Sequence, residues 1–341
     1  MQNSGFISDF KGRSNNLGFL KIIAALLVIF SHSWSITGTG TDPFYIFNLE
    51  QMTFGALSVT LFFFASGFFI AKSLMKGKTG KQFWKGRLIR IYPAFIVVML
   101  LTVFVMGPVL TVLPLKEYFM SSKTWSYFLY LLMIPRYQLP GVLEDAPLPM
   151  VNGALWTLVL EMICYAGIYI VCKLKWLNQK SLKVINCFLI PAVLILLIIQ
   201  PKMLYAFNGY YRPLFIFIAG AEFCVYADQI PLKTSWMWIS IICGFILGAL
   251  HRLDLYMVFG FPYVLSCLVF EKKQVSDSLG NLGDYSYSIY LAGMPVQQTV
   301  QHFFPGSAWF NAGVSIVIAS AIGFLLYRHV EVPSVRFFSK K

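Results

Sequence analysis

Long apolar runs separated by short polar connections fill almost the whole chain. A helix rises about 1.5 Å per residue, so about 20 apolar residues cross a hydrocarbon layer of ~30 Å. Runs of roughly this length predict ten transmembrane helices: 17–37, 53–72, 91–113, 152–172, 184–200, 210–227, 235–250, 255–270, 285–304 and 309–329. No small-residue cleavage pattern follows the first run, which is therefore expected to remain as a span. The pattern predicts an all-α polytopic membrane protein.

The basic residues decide how to treat an eleventh apolar stretch, "WSYFLYLLMIP" at 125–135. If it does not cross and the N-terminus is cytoplasmic, 20 of the 27 lysines and arginines are cytoplasmic and six are external, with Lys21 inside the first span. If it crosses, each side carries 13. Since cytoplasmic loops carry the excess of Lys and Arg, we expect a short re-entrant or interfacial helix here. Cytoplasmic tails at 1–16 and 331–341 then flank one membrane domain at 17–330.

Composition agrees with this class of protein. Of the 341 residues, 58% are hydrophobic and only 12% are charged, whereas soluble domains have about a quarter charged. A net charge of +13 is compatible with nucleic-acid binding. The basic residues cluster at the ends of the predicted spans, however, so they indicate which loops are cytoplasmic. We expect no nucleic-acid partner. The six cysteines fall in or beside apolar runs without a CxxC pair, which predicts buried free thiols with neither disulfides nor a metal site.

Two ionisable residues interrupt the first apolar run, Lys21 and His32. They are eleven residues apart, so they differ by about 20° around a helix and are separated by roughly 16 Å along it. An ionisable residue at a span centre costs about 2.5–3.5 kcal/mol on insertion scales, which makes it a functional hypothesis. The alternative is a lysine that reaches the interface and a histidine that is satisfied in the core.

Two further features carry possible chemistry. Glu161 lies near the middle of the fourth span, where it either forms a structural pair between helices or orients a histidine. Arg87 and Arg90 are neighbours at the cytoplasmic start of the third helix. A guanidinium pair suits phosphate recognition, although ordinary positive-inside charge also explains it. Together these features fit transfer of a group from a cytoplasmic donor to an acceptor in or across the bilayer.

Six stretches resemble, in consistent order, the bacterial membrane acyltransferase-3 family, whose members O-acetylate cell-surface sugars. The first, "LKIIAALLVIFSH", is similar to a family stretch in which an arginine is followed, after ten residues, by a histidine. The other five are "FGALSVTLFFFASGFFIAKSL", "RLIRIYP", "NGALWTLVLEMICY", "GDYSYSIYLAGMPVQQ" and "YRHVEVPSVRFF". The similarity spans residues 15–338, nearly the whole chain.

The resemblance implies roles for individual residues. His32 takes the place of the family's catalytic histidine, and Glu161 that of an essential acidic partner. Arg87 and Arg90 imply contacts to acyl-CoA, to which Lys21 would add a charge. We further expect the acceptor to be contacted by residues of the matched stretches and of the outer side, namely Ser66, Asn152 and Trp156.

The chain departs from the family pattern at three places. Lys21 stands where the family has arginine, which keeps the charge but loses the planar fork. Gly18 stands where many members have aspartate. Gly293, Met294 and Pro295 replace a segment in which many members have a histidine before the proline, so more weight falls on His32.

The resemblance implies an acyl-CoA-dependent O-acetyltransferase of the bacterial cytoplasmic membrane. Acetyl-CoA would be the donor, and a saccharide or lipid-linked glycan the acceptor, with membrane lipid as the surroundings and no metal involved. A transporter or flippase of a glycan or lipid-linked precursor is the alternative, because many-span proteins with buried His and Glu often relay protons. The arginine pair together with His32 favours the enzyme, since a flippase needs no acyl-CoA site.

Overall fold

The chain folds into helices joined by short connections. The computed structural model describes residues 5–7, 16–199, 208–270 and 284–339. In chain order the helices are α1 Leu17–Thr37, α2 Pro43–Phe47, α3 Phe54–Met75, α4 Gly80–Leu101, α5 Gly107–Leu110, α6 Leu115–Met120, α7 Ser122–Ser126, α8 Trp156–Lys173, α9 Gln179–Ile199, α10 Asn208–Val225, α11 Thr234–Ala249, α12 Leu253–Phe259, α13 Phe261–Val269, α14 Ser286–Phe303, α15 Ala308–Leu326 and α16 Val332–Ser339.

Short irregular elements complete the fold. π-helical turns at Thr102–Met106 and Tyr327–Glu331 continue α4 and α15. One 3-10 turn, Gly153–Leu155, leads into α8. Two-residue strands, β1 Gly5–Phe6 and β2 Pro231–Leu232, pair antiparallel. Several positions that the sequence analysis used lie outside the described residues: 1–4, 8–15, 200, Lys202, Lys272, Lys273 and 340–341.

Among the described residues, six helical segments are long and apolar enough to cross a membrane. They are Leu17–Thr37, Phe54–Met75, Gly80–Leu110, Gly153–Lys173, Gln179–Ile199 and Ala308–Phe338. The protein is therefore a helical multi-pass membrane protein, as the apolar runs predicted. Helices also form in the other four predicted spans, but α11 has only 16 residues, about 24 Å of helix. The predicted span 255–270 is divided at Gly260 into α12 and α13. Ten spans and cytoplasmic termini stay predictions.

The helix that carries the arginine pair begins earlier than the sequence predicted. The third span was expected at 91–113, whereas α4 starts at Gly80. Thr79 and Gln82 explain this start, because the Gln82 amide donates to Thr79 Oγ1 (3.3 Å) and the Thr79 amide donates to Gln82 Oε1 (3.1 Å). This reciprocal arrangement is a capping box. A helix can continue through charged residues where it leaves the hydrocarbon. The start of the apolar run therefore did not mark the start of the helix.

The stretch at 125–135 is too short to cross a bilayer. The helix α7 passes into a six-residue 3-10 turn, Tyr127–Leu132, which ends at Met133 with a φ of 62°. Six residues of 3-10 helix cover about 12 Å. The connection packs against the helix before it: Tyr118 is fully buried, and its hydroxyl donates to the carbonyl of Val103, in the π-helical turn that continues α4 (2.9 Å). Burial raises the pKa of Tyr118 to about 12, so this hydroxyl stays protonated. The predicted re-entrant or interfacial location stays a prediction.

The helices cluster into two compact units. The first comprises described residues within 1–21, 44–83 and 160–282, and the second those within 22–43, 84–159 and 283–341. In the first, α3 packs along α10. In the second, α14 packs along α15. All six cysteines are free. Only Cys164 and Cys224 are buried in the protein, whereas Cys187 and Cys243 are exposed, so the prediction that all six are buried is wrong.

Candidate active site

His32 lies on α1, close to a buried carboxylate. It is five residues from the end of the helix at Thr37, and its side chain is partly buried. The preceding residue, Ser31, donates a 2.6 Å hydrogen bond from Oγ to Oδ2 of Asp42. Asp42 is 4% exposed. A buried carboxylate is therefore held at the residue that precedes His32 on the helix.

A second polar cluster fixes the same part of α1 against α14 and α15. Gln297 Nε2 donates to the Ile29 carbonyl (2.7 Å) and to Ser33 Oγ (2.8 Å). Asn311 Nδ2 donates to the Gln297 carbonyl (3.0 Å). The side chains of Ser33, Gln297 and Asn311 are fully buried. Hydrogen bonds in such an interior are costly to break. This cluster therefore fixes how α1 is rotated about its own axis at Ser33, the residue that follows His32.

Glu161, in the second turn of α8, belongs to a different set of contacts. Its Oε1 accepts a 3.0 Å hydrogen bond from Ser66 Oγ on α3. The same oxygen accepts a short hydrogen bond from the hydroxyl of Tyr165, one turn further along α8. The structure thus brings together two of the predicted site residues, Ser66 and Glu161. Two hydroxyl donors reduce the cost of placing a carboxylate in the membrane.

The arginine pair lies in the third turn of α4, where Arg87 and Arg90 share a face. Arg90 Nη2 is 3.0 Å from Asp284 Oδ2, and the two side chains are 40% and 26% exposed. Ser286 Oγ donates to the other oxygen of Asp284 at 2.5 Å. Arg87 is partly buried on the same helix. Lys21 lies in the second turn of α1 and is also partly buried.

Asn152 and Trp156 stand at the beginning of the helical segment that carries Glu161. Asn152 is fully buried, and its Nδ2 donates to the Leu291 carbonyl (3.0 Å). Its Oδ1 has no hydrogen-bond partner among the residues that the structure describes. Trp156 is the first residue of α8 and is partly buried. Asn152 therefore fastens the start of this segment to α14, and its predicted contact with an acceptor is untested.

The eight predicted site residues divide between the two units. Lys21, Ser66 and Glu161 belong to the first, and the remainder to the second: His32, Arg87, Arg90, Asn152 and Trp156. Within the described ranges, no group of three or more His, Cys, Asp or Glu side chains is placed to hold a metal ion.

Sequence reasoning missed four polar partners at these positions: Asp42, Tyr165, Asp284 and Gln297. Asp42 and Asp284 fall in connections, which a search for ionisable residues within spans does not reach. Tyr165 and Gln297 lie within spans, but both side chains are uncharged at neutral pH. They therefore lack the cost of a charge in the membrane, which singled out His32 and Glu161. The paired "QQ" of an apolar run, at 297–298, was the available signal for Gln297.

Known proteins similar to this chain include enzymes. The family described as "Acyltransferase domain" matches residues 14–328. A protein named "O-acetyl transferase" from Shigella phage Sf6 is 29% identical over 309 residues, which cover 84% of this chain and 86% of that protein. "Nodulation protein 10" from Rhizobium leguminosarum bv. viciae is 29% identical over 242 residues, 67% of this chain and 62% of that protein. No solved structure matches the chain significantly.

Proposed function

We propose that this chain, which belongs to the acyltransferase family, moves an acyl group from cytoplasmic acyl-CoA to a hydroxyl of a cell-surface saccharide. The family match over residues 14–328 carries the proposal, because it covers the membrane domain from end to end. Acetyl is the proposed acyl group, since one relative is named an O-acetyl transferase. The proposed acceptor is an O-antigen, an exopolysaccharide or a similar glycan. The proposed location is the bacterial cytoplasmic membrane, one face of which meets acyl-CoA.

The donor's phosphates are proposed to bind Arg87 and Arg90, whereas the contact of Lys21 with the donor stays a prediction. The observed partner of Arg90, Asp284, is compatible with this role. Both side chains are partly exposed, and such pairs are worth about 0–1 kcal/mol, so a phosphate can replace the carboxylate. The pantetheine arm would then extend along α1, where roughly 16 Å separates Lys21 from His32.

His32 is the proposed general base. A neutral imidazole takes the proton of the acceptor hydroxyl while the hydroxyl oxygen attacks the thioester carbonyl carbon. The C–S bond then breaks, and the CoA sulfur leaves with the proton that His32 returns. An acyl-histidine intermediate would divide the same transfer into two steps. Glu161 is proposed as the essential acidic residue, held by the hydroxyls of Ser66 and Tyr165.

Labelled acetyl-CoA tests this function directly. Inverted membrane vesicles containing the protein are incubated with [1-14C]acetyl-CoA, and label is counted in the polysaccharide and lipid-linked saccharide fractions. We expect transfer by the wild type and a loss of about 10²–10⁴-fold in His32→Ala, the range for general bases. His302→Ala is the matched control, because His302 is exposed on α14 in the same unit.

Three outcomes would count against different parts of this proposal. Folded wild-type protein that transfers no label would contradict the acyltransferase reaction with this donor. Translocation of a labelled lipid-linked precursor without any requirement for acetyl-CoA would instead support the flippase. Full transfer by His32→Ala would remove only the role of His32.

A further inference from the structure

Gln297, on α14, donates two hydrogen bonds to the turn of α1 that carries His32. Its Nε2 lies 2.7 Å from the Ile29 carbonyl oxygen and 2.8 Å from Ser33 Oγ. Ile29 is three residues before His32 and Ser33 is the next residue after it, so the two bonds bracket the histidine on the helix. The helices approach closely here, since a Cβ on Gly293, one turn before Gln297, would lie 2.9 Å from Ile29 Cγ1.

A closed ring of hydrogen bonds joins α1, α14 and α15 at this level. Ser33 Oγ, which accepts from Gln297, donates to Asn311 Oδ1 (3.2 Å), and Asn311 Nδ2 donates to the Gln297 carbonyl (3.0 Å). All three side chains are fully buried and belong to the second unit, as does His32. Buried hydrogen bonds are costly to break, so α1 is held at one rotation where it carries the histidine.

The end of α1 is held by a different contact. After the helix, Gly38 with a φ of 66° and Gly40 with a φ of 74° turn the chain, a conformation that glycine adopts without steric cost. Between them, Thr39 Oγ1 accepts a 3.2 Å hydrogen bond from the backbone amide of Ala308. This contact fixes where α1 ends, whereas the rotation at His32 depends on the bonds that Gln297 makes to the helix itself.

Stability alone does not account for Gln297. Its Oε1 is buried and accepts no hydrogen bond in the described part of the chain. An unpaired buried acceptor costs free energy, and a partly satisfied polar cluster is worse than an apolar core. The Ile29 carbonyl lies inside α1, where the Ser33 backbone amide also donates to it. An apolar side chain at 297 would therefore leave neither this carbonyl nor the Ser33 hydroxyl unpaired.

We propose, on the basis of the proposed function, that Gln297 is a positioning residue of His32. Its two hydrogen bonds hold α1 at the rotation in which the imidazole meets the acceptor hydroxyl. Helix side chains extend about 5–6 Å from the axis, so a rotation of about 10° moves the ring by about 1 Å. A misplacement of that size can cost about 10²-fold in rate. Gln297 works through the helix and transfers no proton itself.

Gln297→Met tests this role, because methionine has a similar length and makes neither hydrogen bond. With [1-14C]acetyl-CoA and the lipid-linked saccharide fraction in vesicles, we expect kcat to fall on the order of hundredfold. The KM for acetyl-CoA should stay within about threefold, since the proposed donor contacts, Arg87 and Arg90, lie on α4. The midpoint of thermal unfolding in detergent should stay within about 2 °C of the wild type or rise. A purely structural role would instead lower it.

Gln298→Met is the matched control. Gln298 is 1% exposed, and its Nε2 donates at 2.8 Å to the carbonyls of both Leu148 and Met150. The same substitution on the same helix thus removes two buried hydrogen bonds, but neither of them reaches α1. We expect the kcat of Gln298→Met to stay within about threefold of the wild type.

Ser33→Ala is a second variant, which keeps the bond from Gln297 to Ile29 and removes the other. We expect a smaller fall in kcat, roughly tenfold. In a His32→Ala background, Gln297→Met should cause no further loss, because residues that act as a unit are not additive.

The outcomes separate this inference from the function beneath it. Wild-type transfer that is lost in His32→Ala but retained in Gln297→Met would overturn the role of Gln297 and leave the function intact. A lowered midpoint, or an equal fall in kcat for Gln298→Met, would show general packing and also overturn it. A further loss in the His32→Ala background would show that Gln297 acts independently of the histidine, with the same consequence. Absence of transfer by folded wild-type protein would overturn the function and this inference together.

Discussion

Three ionisable side chains of this protein, Glu161, Asp42 and Arg90, have neighbours that compensate them. Glu161 receives two hydroxyls, and Asp42 receives the hydroxyl of Ser31. Arg90 pairs with Asp284 at 3.0 Å. A charge in or near a bilayer is costly without such partners, so each pair lowers the cost of keeping an ionisable group in its place.

The arginine pair gives a prediction on donor affinity. Arg87→Ala is expected to raise the KM for acetyl-CoA roughly tenfold to hundredfold, because a hydrogen bond to a charged group is worth about 1.5–3 kcal/mol. Steady-state transfer at varied acetyl-CoA measures this. Lys81→Ala is the control, since Lys81 is exposed and about 120° from Arg87 around α4. Asp284→Asn should not raise the KM for acetyl-CoA, because this change frees Arg90 from its ion pair.

An equal rise in the KM for Lys81→Ala would contradict a specific role for Arg87. Ordinary positive-inside charge would then explain the arginine pair.

At the scale of helices, the Ser66–Gly67 pair of α3 has two separate physical roles. Ser66 donates to Glu161, and the absent side chain of Gly67 allows α10 to approach. A Cβ at Gly67 would lie 2.0 Å from the Phe217 carbonyl oxygen, and one at Gly220 would lie 2.2 Å from the Phe64 carbonyl oxygen. Small residues of this kind allow membrane helices to pack at short distance. The "SGF" of the second span is thus a packing element, and its serine is a residue of the proposed site.

Gly67→Ala should therefore destabilise the protein. Its Cβ would meet backbone atoms, which cannot rotate away, so α3 and α10 must separate. We expect a cost of about 1–3 kcal/mol or more, measured as a lower midpoint of thermal unfolding in detergent. Gly167→Ala is the matched control, because a Cβ on that glycine of α8 meets nothing within 4 Å. Equal midpoints for the two variants would contradict the close contact.

Across the whole chain, charge and hydrophobicity predict how the protein crosses the membrane. The described residues include six helical segments long and apolar enough to span. The excess of lysine and arginine in alternate connections favours cytoplasmic termini. In that arrangement the connection between α8 and α9 is cytoplasmic, and the connection at 114–151 is external.

Reporter fusions test this orientation. Alkaline phosphatase inserted at 174–178 should be inactive, because the enzyme folds only outside the cytoplasm, and a fluorescent protein inserted there should fluoresce. Phosphatase inserted in the connection at 114–151 should be active. Active phosphatase at 174–178 would reverse the predicted orientation of α8 and require that 125–135 crosses after all.

The apolar periodicity of the chain was sufficient to predict a helical membrane protein, because about 20 apolar residues in a row have few other folds available to them. The helix limits were predicted less well. The apolar run placed the third span at 91, whereas the capping box of Thr79 and Gln82 starts α4 at Gly80. Capping depends on hydrogen bonds of polar residues, which hydrophobicity does not measure.

For the site, the sequence by itself determined which residues are polar within apolar helices, and therefore singled out His32, Glu161 and the arginine pair. Only the tertiary structure decided which side chains these residues meet. Glu161 meets Ser66 because α3 and α8 pack in one unit, and Asp42 reaches Ser31 because two glycines reverse the chain. The physical reason is that burial cost depends on a residue's own chemistry, whereas its compensation depends on partners distant along the chain.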